Sequence, residues 1–353
     1  MCRSLRAVER KRFAVLIEAD GVHQAGFPCG ARFVFLLASV SESENSARTL
    51  IFLRPTVYFS PMAADNSGGA SGRTRLVLTV DVEDWYLAHL EFFPDSPSTP
   101  DDRTDPSVVH SVRKILDLLE HTHNTATFFV LGTVARDYPE LVVEIAAHGH
   151  EIASHGYRHR RLLHLTPDEF AEDLELSLEA LAKAGAAAIK GYRAPCFSIT
   201  RRTLWALEII RKFGLRYDAS IFPVRRRLYG IANWPGDALQ LENGLWEFPA
   251  ATVRYSGQNL PVAGGGWLRM LPYGLIKRGL LSNRLASPAV FYFHPHEFDP
   301  SGVALRHKPK SLYTKAVAAL ETTGLRKNPA KIRQLLQDFR FCRLDNCLPH
   351  QTD

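Results

Sequence analysis

The sequence lacks several features that would place it in a large protein class. Its five cysteines, Cys2, Cys29, Cys196, Cys342 and Cys347, form no CxxC pair and are odd in number. Neither a disulfide framework nor a cysteine zinc site is therefore expected. The longest apolar runs, such as FVFLLASV at 33–40, fall well short of the roughly 18 residues of a membrane-crossing helix, so no integral membrane segment is expected. The early arginines are followed by a short apolar stretch, FAVLI, that soon meets Glu18 and Asp20. That makes a poor secretory signal, and a cytoplasmic location is expected. Concentrated positive charge is also missing. The net charge is +6, with eight Lys/Arg against five Asp/Glu in residues 1–61 and the rest of the surplus spread over the remaining chain. A spread surplus is solvated surface, so no nucleic-acid partner is expected.

What is present suits a globular chain: 353 residues, 46% of them hydrophobic, are enough to bury a core. Residues 1–61 show no sustained periodicity and lead into the small, polar stretch MAADNSGGASGRTR at 62–75, which starts on one of only three methionines. The expectation is that translation begins near Met62 and that residues 1–75 are a disordered or mis-assigned extension outside the fold. From residue 76 strand and helix signals alternate. LVLTVDV (76–82), TATFFVLG (125–132), EIASH, IKGYRAP, LRYDAS and AVFYF (289–293) read as strands. SVVHSVRKILDLLEHT (107–122), PELVVEIAAHG (139–149), the run after the capping box of Thr166 and Glu169, and TRRTLWALEIIRKFG read as helices. The segment 224–289 is less regular, and two helical patterns, near 311–322 and 329–339, close the chain. This rhythm predicts an α/β fold whose parallel sheet is closed or nearly closed inside a layer of helices.

In such folds chemistry gathers where strands end, and four clusters stand there. Asp81, Glu83 and Asp84 follow the first strand in TVDVEDW; buried charge there calls for a cation or a cleft, and a loop-capping network is the structural alternative. His155 and His159 lie four apart in SHGYRH. About half of one such pair is expected by chance from 14 histidines, so the spacing alone is equally that of polar loop residues. With one carboxylate, however, two imidazoles would make a three-ligand catalytic zinc arrangement with an open position. His148, His150 and His164 read as surface or supporting residues. Arg193 ends a strand in GYRAPCF, and Pro195 stiffens a turn whose following amides can serve as oxyanion donors. His294 ends the last strand in FHPHEFDP, as a general acid or as a structural histidine. Trp85, Trp234, Trp246 and Trp267 suit stacking on sugar rings, and equally suit the core.

Together TVDVEDW, SHGYRH, GYRAPCF, YDAS and FHPHEF resemble the polysaccharide deacetylases with the NodB-homology domain, carbohydrate esterase family four. HEIASHGYRHR, GYRAPCFSITRRTLWAL, YDASIFPV, GLWEFP and NLPVAGGGW resemble more narrowly the exosortase-associated branch of exopolysaccharide loci. The resemblance implies a distorted (β/α) barrel of about seven strands over 76–300, with a C-terminal helical extension over 301–353 packed on it. It implies a divalent metal, most simply Zn2+ with Co2+ or Ni2+ as substitutes, and an N-acetylated oligo- or polysaccharide, or its lipid-linked precursor, as substrate. Work on such a precursor would put the chain in the cytoplasm, at most peripheral at the inner membrane. The resemblance makes His155 and His159 metal ligands, Asp81 the general base, and Arg193 the residue that orients Asp81. The amide of Cys196, after Pro195, becomes an oxyanion donor, and Asp218 the group that tunes the general acid His294. The sequence departs from the family pattern where Val82 stands in place of a second aspartate. Glu83, on the strand face of Asp81, is then the favoured third ligand and Asp84 the alternative. Cys196 stands where an aromatic is frequent, which alters the pocket wall. Two other readings stay open: a metal-dependent hydrolase of a non-sugar, cyclic amide, and a catalytically silent glycan-binding relative.

Overall fold

The computed structural model describes residues 75–85, 106–226, 229–282, 285–300, 315, 319 and 322–349. The expected extension 1–75, save its last residue, and most of the helix expected near 311–322 lie outside these residues. In chain order the elements are β1 (Leu76–Val82), α1 (Ser107–His121), β2 (Thr127–Val130), α2 (Gly132–Asp137), α3 (Pro139–Ala147), β3 (Glu151–Ser154), α4 (Pro167–Lys183), β4 (Gly191–Tyr192), α5 (Ala206–Lys212) and β5 (Tyr217–Asp218). There follow β6 (Leu239–Gln240), β7 (Trp246–Glu247), β8 (Thr252–Tyr255), β9 (Gln258–Pro261), α6 (Gly265–Met270), α7 (Tyr273–Leu280), β10 (Ala289–Phe293), α8 (Pro295–Phe298) and α9 (Asn328–Asp338).

The main sheet runs β10-β1-β2-β3-β4-β5-β7-β6. Every pair from β10 to β7 is parallel, and only β6 runs antiparallel. Past β7 the chain returns to the first strand of this order. Ala250 bridges Val290 of β10 in parallel, and the Ala251 N–H donates to the Val290 carbonyl at 2.9 Å. The result is a curled, distorted barrel of parallel strands wrapped by helices, an α/β fold.

Alternation along the strands sorts side chains between its two faces. Leu78, Val80 and Val82 of β1 and Phe128 and Val130 of β2 pack outward on Val108, Val112, Ile115 and Leu119 of α1 and on Ile332, Leu335 and Leu336 of α9. The α1 residues recur every three or four positions, so one helical stripe supplies the contact. Val77, Phe129, Ala153, Tyr217, Phe248 and Val290 turn inward and fill the lumen. The helix α4 begins at the expected capping box: the Thr166 side chain accepts from the Glu169 N–H, and the Glu169 carboxylate accepts from the Thr166 N–H. At β4 the strands come so close that a Cβ on Gly191 would sit 1.9 Å from the Tyr217 ring, and only glycine fits.

The C-terminal stretch closes the lumen at the N-terminal ends of the strands. Cys342 donates to the Leu76 carbonyl and accepts from Leu78, making a parallel bridge to Val77. Leu344 and Leu348 enter the inner cluster, and the Leu344 and Asp345 amides donate to Thr127 Oγ1 at 2.8 Å and to Glu151 Oε2 at 3.1 Å. The part of the expected 301–353 extension that is described holds helical positions at 315, 319 and 322, the helix α9 and an irregular plug. Sequence periodicity had no signal for the plug. It also missed α2, the β8–β9 hairpin and the helices α6 and α7, and of the helix expected over TRRTLWALEIIRKFG only Ala206–Lys212 is α-helical.

Burial and the neighbouring Asp345 charge push the Glu151 carboxyl up to about 7 from 4.5. Between those values the folded chain holds the extra proton, so this group's contribution to stability is present at the acid end and is lost as pH rises across the window. The Glu151→Gln variant should therefore show a flatter decline of melting temperature from about pH 4.5 to about 7 than the parent. Equal slopes in the two proteins would contradict this account.

Candidate functional site

The sequence clusters meet at the C-terminal edge of the barrel because parallel strands all end there. Glu83 stands just past β1 and His155 just past β3. The SHGYRH loop then reverses through Gly156 (φ 77°) and His159 (φ 57°). Glu83 Oε2 lies 3.3 Å from His155 Nε2 and 2.6 Å from His159 Nε2. One ligand-capable atom from each residue falls within 4.8 Å of the others, and all three side chains are buried. Glu83 Oε2 nevertheless takes no well-aligned hydrogen bond, the state expected when lone pairs converge on a shared point. His155 Nδ1 is 2.8 Å from the Arg193 carbonyl. A carbonyl only accepts, so the ring proton sits on Nδ1 and leaves the Nε2 lone pair facing Glu83, the tautomer a metal ligand needs. The donor set therefore fits a divalent cation of the zinc type. Asp84 is buried too but stays outside this group.

Electrostatics follow the geometry. Burial raises the Glu83 pKa, but the His159 charge and the close approach of both imidazoles outweigh it and hold the carboxyl well below its usual range. Burial lowers the His159 pKa, and the Glu83 charge reverses that and lifts it well above the ordinary imidazole value.

Asp81, on the lumen face of β1, is gripped by Arg193. The guanidinium is fully buried and donates from Nη1 to Asp81 Oδ1 at 2.6 Å and to Thr79 Oγ1 at 2.7 Å, and from Nε to the Ala219 carbonyl at 3.0 Å. It lies 4.2 Å from the Phe129 ring centroid, a face-on cation–π contact. His294 faces both carboxylates, with Nε2 3.9 Å from Asp81 Oδ2 and 3.4 Å from Glu83 Oε1. Burial works against its charge, but the Glu297 hydrogen bond and the charges of Glu297, Glu83 and Asp81 push it up to about 9.

Two residues have partners beyond those expected. Asp218 makes its hydrogen bonds to Ser220 and Glu247: it accepts from the Ser220 amide at 3.0 Å and hydroxyl at 2.5 Å and shares a hydrogen bond with Glu247, because both carboxyls end neighbouring strands inside the lumen. The partner of His294 Nδ1 is Glu297, at 3.0 Å. The sequence held a signal for it: Pro295 at a helix start with glutamate at the third position is a capping pattern. The second is Cys196, where a contact adds to the expected role. Its backbone is left-handed (φ 54°, ψ 27°) in a turn held by the Phe197 and Ser198 amides, and its thiol shares a hydrogen bond with His159. Burial raises the thiol pKa, and His159 outweighs that and lowers it. Cys196 thus touches the histidine cluster directly as well as lining the pocket.

Pro195 packs toward Gly156. Of the tryptophans, Trp267 packs beside Phe197, Phe222 and Tyr292 near the site, whereas Trp246 stacks on Phe248 in the inner cluster that Leu344 and Leu348 enter. Trp234 lies against the helix-side cluster around Leu162, and Trp85 is half-buried beside Asp84. His150, expected at the surface or in support, is buried against Phe128 at the opposite edge.

Comparison with known proteins gives two family matches in succession. Residues 98–217 match a family model described as polysaccharide deacetylase, and residues 219–349 match one described as a domain of unknown function, DUF3473. A peptidoglycan-N-acetylglucosamine deacetylase of Bacillus cereus is 38% identical over 96 residues, covering 27% of this chain and 35% of that protein. A chitooligosaccharide deacetylase of Rhizobium leguminosarum is 36% identical over 86 residues, covering 24% and 39%. The chain thus spans little more than a third of the length of the curated relatives it matches. Among solved structures, a Mycobacterium smegmatis protein is similar over 78% of this chain and 94% of its own at 22% identity and a TM-score of 0.47. The family 4 carbohydrate esterase of Streptomyces lividans is similar over 73% and 91% at 17% identity and a TM-score of 0.38. Residues 98–217 are thus similar to a polysaccharide deacetylase domain.

Replacing Arg193 by methionine would strand the buried Asp81 carboxylate without its counter-charge. The variant should lose roughly 3–5 kcal/mol of unfolding free energy, read by urea titration. A value within about 0.5 kcal/mol of the parent, the scale of a surface substitution, would mean that the pair is not what holds Asp81 in the lumen.

Proposed function

We propose that this chain is a metal-dependent deacetylase that hydrolyses the acetamide of N-acetylated sugars in a polysaccharide or its lipid-linked precursor. The observation that carries the reading is the meeting, at one end of the barrel, of three ligand-type side chains, Glu83, His155 and His159, with two proton-handling groups, Asp81 and His294. Glu83, His155 and His159 would hold the cation, Zn2+ by its nitrogen and oxygen donors, with Co2+ or Ni2+ as substitutes. When bound, such a cation polarises an amide carbonyl and acidifies water.

The rest of the work falls to the chain's own groups. Asp81, oriented by Arg193, takes the proton of the attacking water. The Cys196 amide, on a turn that Pro195 begins, faces the oxyanion that develops on the acetyl carbonyl. His294 gives its proton to the sugar nitrogen as the C–N bond breaks, which turns the amine into a leaving group. Asp218 steadies the lumen around Arg193 rather than taking part. The stacking surface for a sugar ring falls to Trp267, beside Tyr292. A place in exopolysaccharide biosynthesis, on the cytoplasmic side and at most peripheral at the inner membrane, rests on the resemblance of the sequence motifs. No described helix is long and apolar enough to cross a membrane.

Metal-stripped protein, assayed for acetate release from N-acetylhexosamine oligomers, should be silent and should regain activity with zinc, cobalt or nickel. Asp81→Asn should retain the cation yet lose at least about 100-fold in turnover, the low end of what a general base contributes. Acetate release by the stripped protein, or an active Asp81→Asn, would refute the reading.

A further inference from the structure

The segment that follows the deacetylase match carries a carboxylate whose surroundings are shaped around a single task. Glu297 Oε2 accepts from two donors of one residue, the His294 backbone N–H at 3.0 Å and the ring Nδ1 at 3.0 Å. Its other oxygen, Oε1, lies 3.4 Å from Arg269 Nε on α6. Glu297 and Arg269 are both close to fully buried, with side-chain exposures of 3% and 11%. The space that Glu297 occupies exists because residue 265 has no side chain: a Cβ there would fall 1.5 Å from Glu297 Oε2 and 1.9 Å from its Cδ. Sterics, charge and hydrogen bonding thus converge on one placement of one carboxylate.

We infer that Glu297, seated over Gly265 and anchored by Arg269, is the positioning residue that fixes His294 with Nε2 toward the reacting bond. The inference rests on the proposed deacetylase chemistry and deepens it. A carboxylate on Nδ1 engages that nitrogen's proton and fixes the ring plane, so the proton the doubly protonated ring gives up is the one on Nε2. The family resemblance assigns that task to Asp218, which is engaged with Ser220 and Glu247 instead. All four residues of the arrangement, Gly265, Arg269, His294 and Glu297, lie within the 219–349 stretch whose matching family has no described function. That stretch would then supply the acid half of the reaction, while β1 and the SHGYRH loop supply the base and the cation ligands.

Proton delivery is needed when an amide C–N bond breaks, because nitrogen leaves as the amine only after taking a proton. It is not needed when the C–O bond of 4-nitrophenyl acetate breaks, because the phenolate leaves unprotonated. Glu297→Gln should therefore lose about 10- to 100-fold in kcat on N-acetylhexosamine oligomers, with KM little changed and with at least tenfold less loss on 4-nitrophenyl acetate. Arg269→Gln should show the same selectivity at smaller size, and it keeps the test open if Glu297→Gln does not fold. Equal losses on both substrates, or none, would overturn the inference. So would metal analysis that finds two cations per chain falling to one in Glu297→Gln, because His294, His296 and Glu297 also lie close enough to share an ion. If the parent protein itself releases no acetate from the oligomers, it is the deacetylase reading that fails, and the variants are not at issue.

Discussion

An ionised carboxylate buried at the mouth of a barrel persists only if positive charge meets it, and Glu83 is such a group. It is 2% exposed and faces two imidazoles across 2.6 and 3.3 Å. Its own oxygen finds no aligned donor, so the three side chains point at a common place rather than satisfying one another. Every other feature of the site stands in relation to that place. Arg193 orients His155 by its carbonyl and Asp81 by its guanidinium, so one residue links the cluster to the neighbouring acid. His294 closes the opposite side.

The lumen beneath explains how so much charge is tolerated. Arg193 is sandwiched between aromatic rings and bonded to Asp81, Thr79 and a carbonyl. Burial and the Asp218 charge push Glu247 well above its normal pKa, so the pair of carboxyls shares a proton instead of repelling. Below them the C-terminal plug excludes water from the strand bottoms. Burying a charge network costs free energy unless its hydrogen bonds are made; the strand ends supply partners for Arg193 Nη1 and Nε, while Arg193 Nη2 and Glu247 Oε2 are left without a hydrogen bond.

Much of this was legible in the sequence where local signals are strong. AVFYF is β10 residue for residue, and the Thr166–Glu169 capping box opens α4 as written. Asp81, His155, Arg193 and His294 could be grouped because each follows an apolar run, and parallel strands deliver such residues to one edge. The β8–β9 hairpin was hidden because its strand residues are half polar, as in Arg254, Gln258 and Asn259, although Ser256 and Gly257 at its turn both take positive φ. Glu297 was hidden for another reason: it reads as an ordinary helix cap, and its second duty depends on Gly265 and Arg269, some thirty residues away in sequence. Long-range pairing of this kind, like that of Asp218 with Glu247, leaves no local pattern to read.

The central claim is that one cation is held jointly by Glu83, His155 and His159. Its most direct test is a titration of metal-stripped protein with Co2+, following the visible ligand-field absorption, for the parent, Glu83→Gln and Asp84→Asn. The account predicts one cation per chain in the parent, loss of that binding in Glu83→Gln and its retention in Asp84→Asn. Undiminished binding in Glu83→Gln would contradict it.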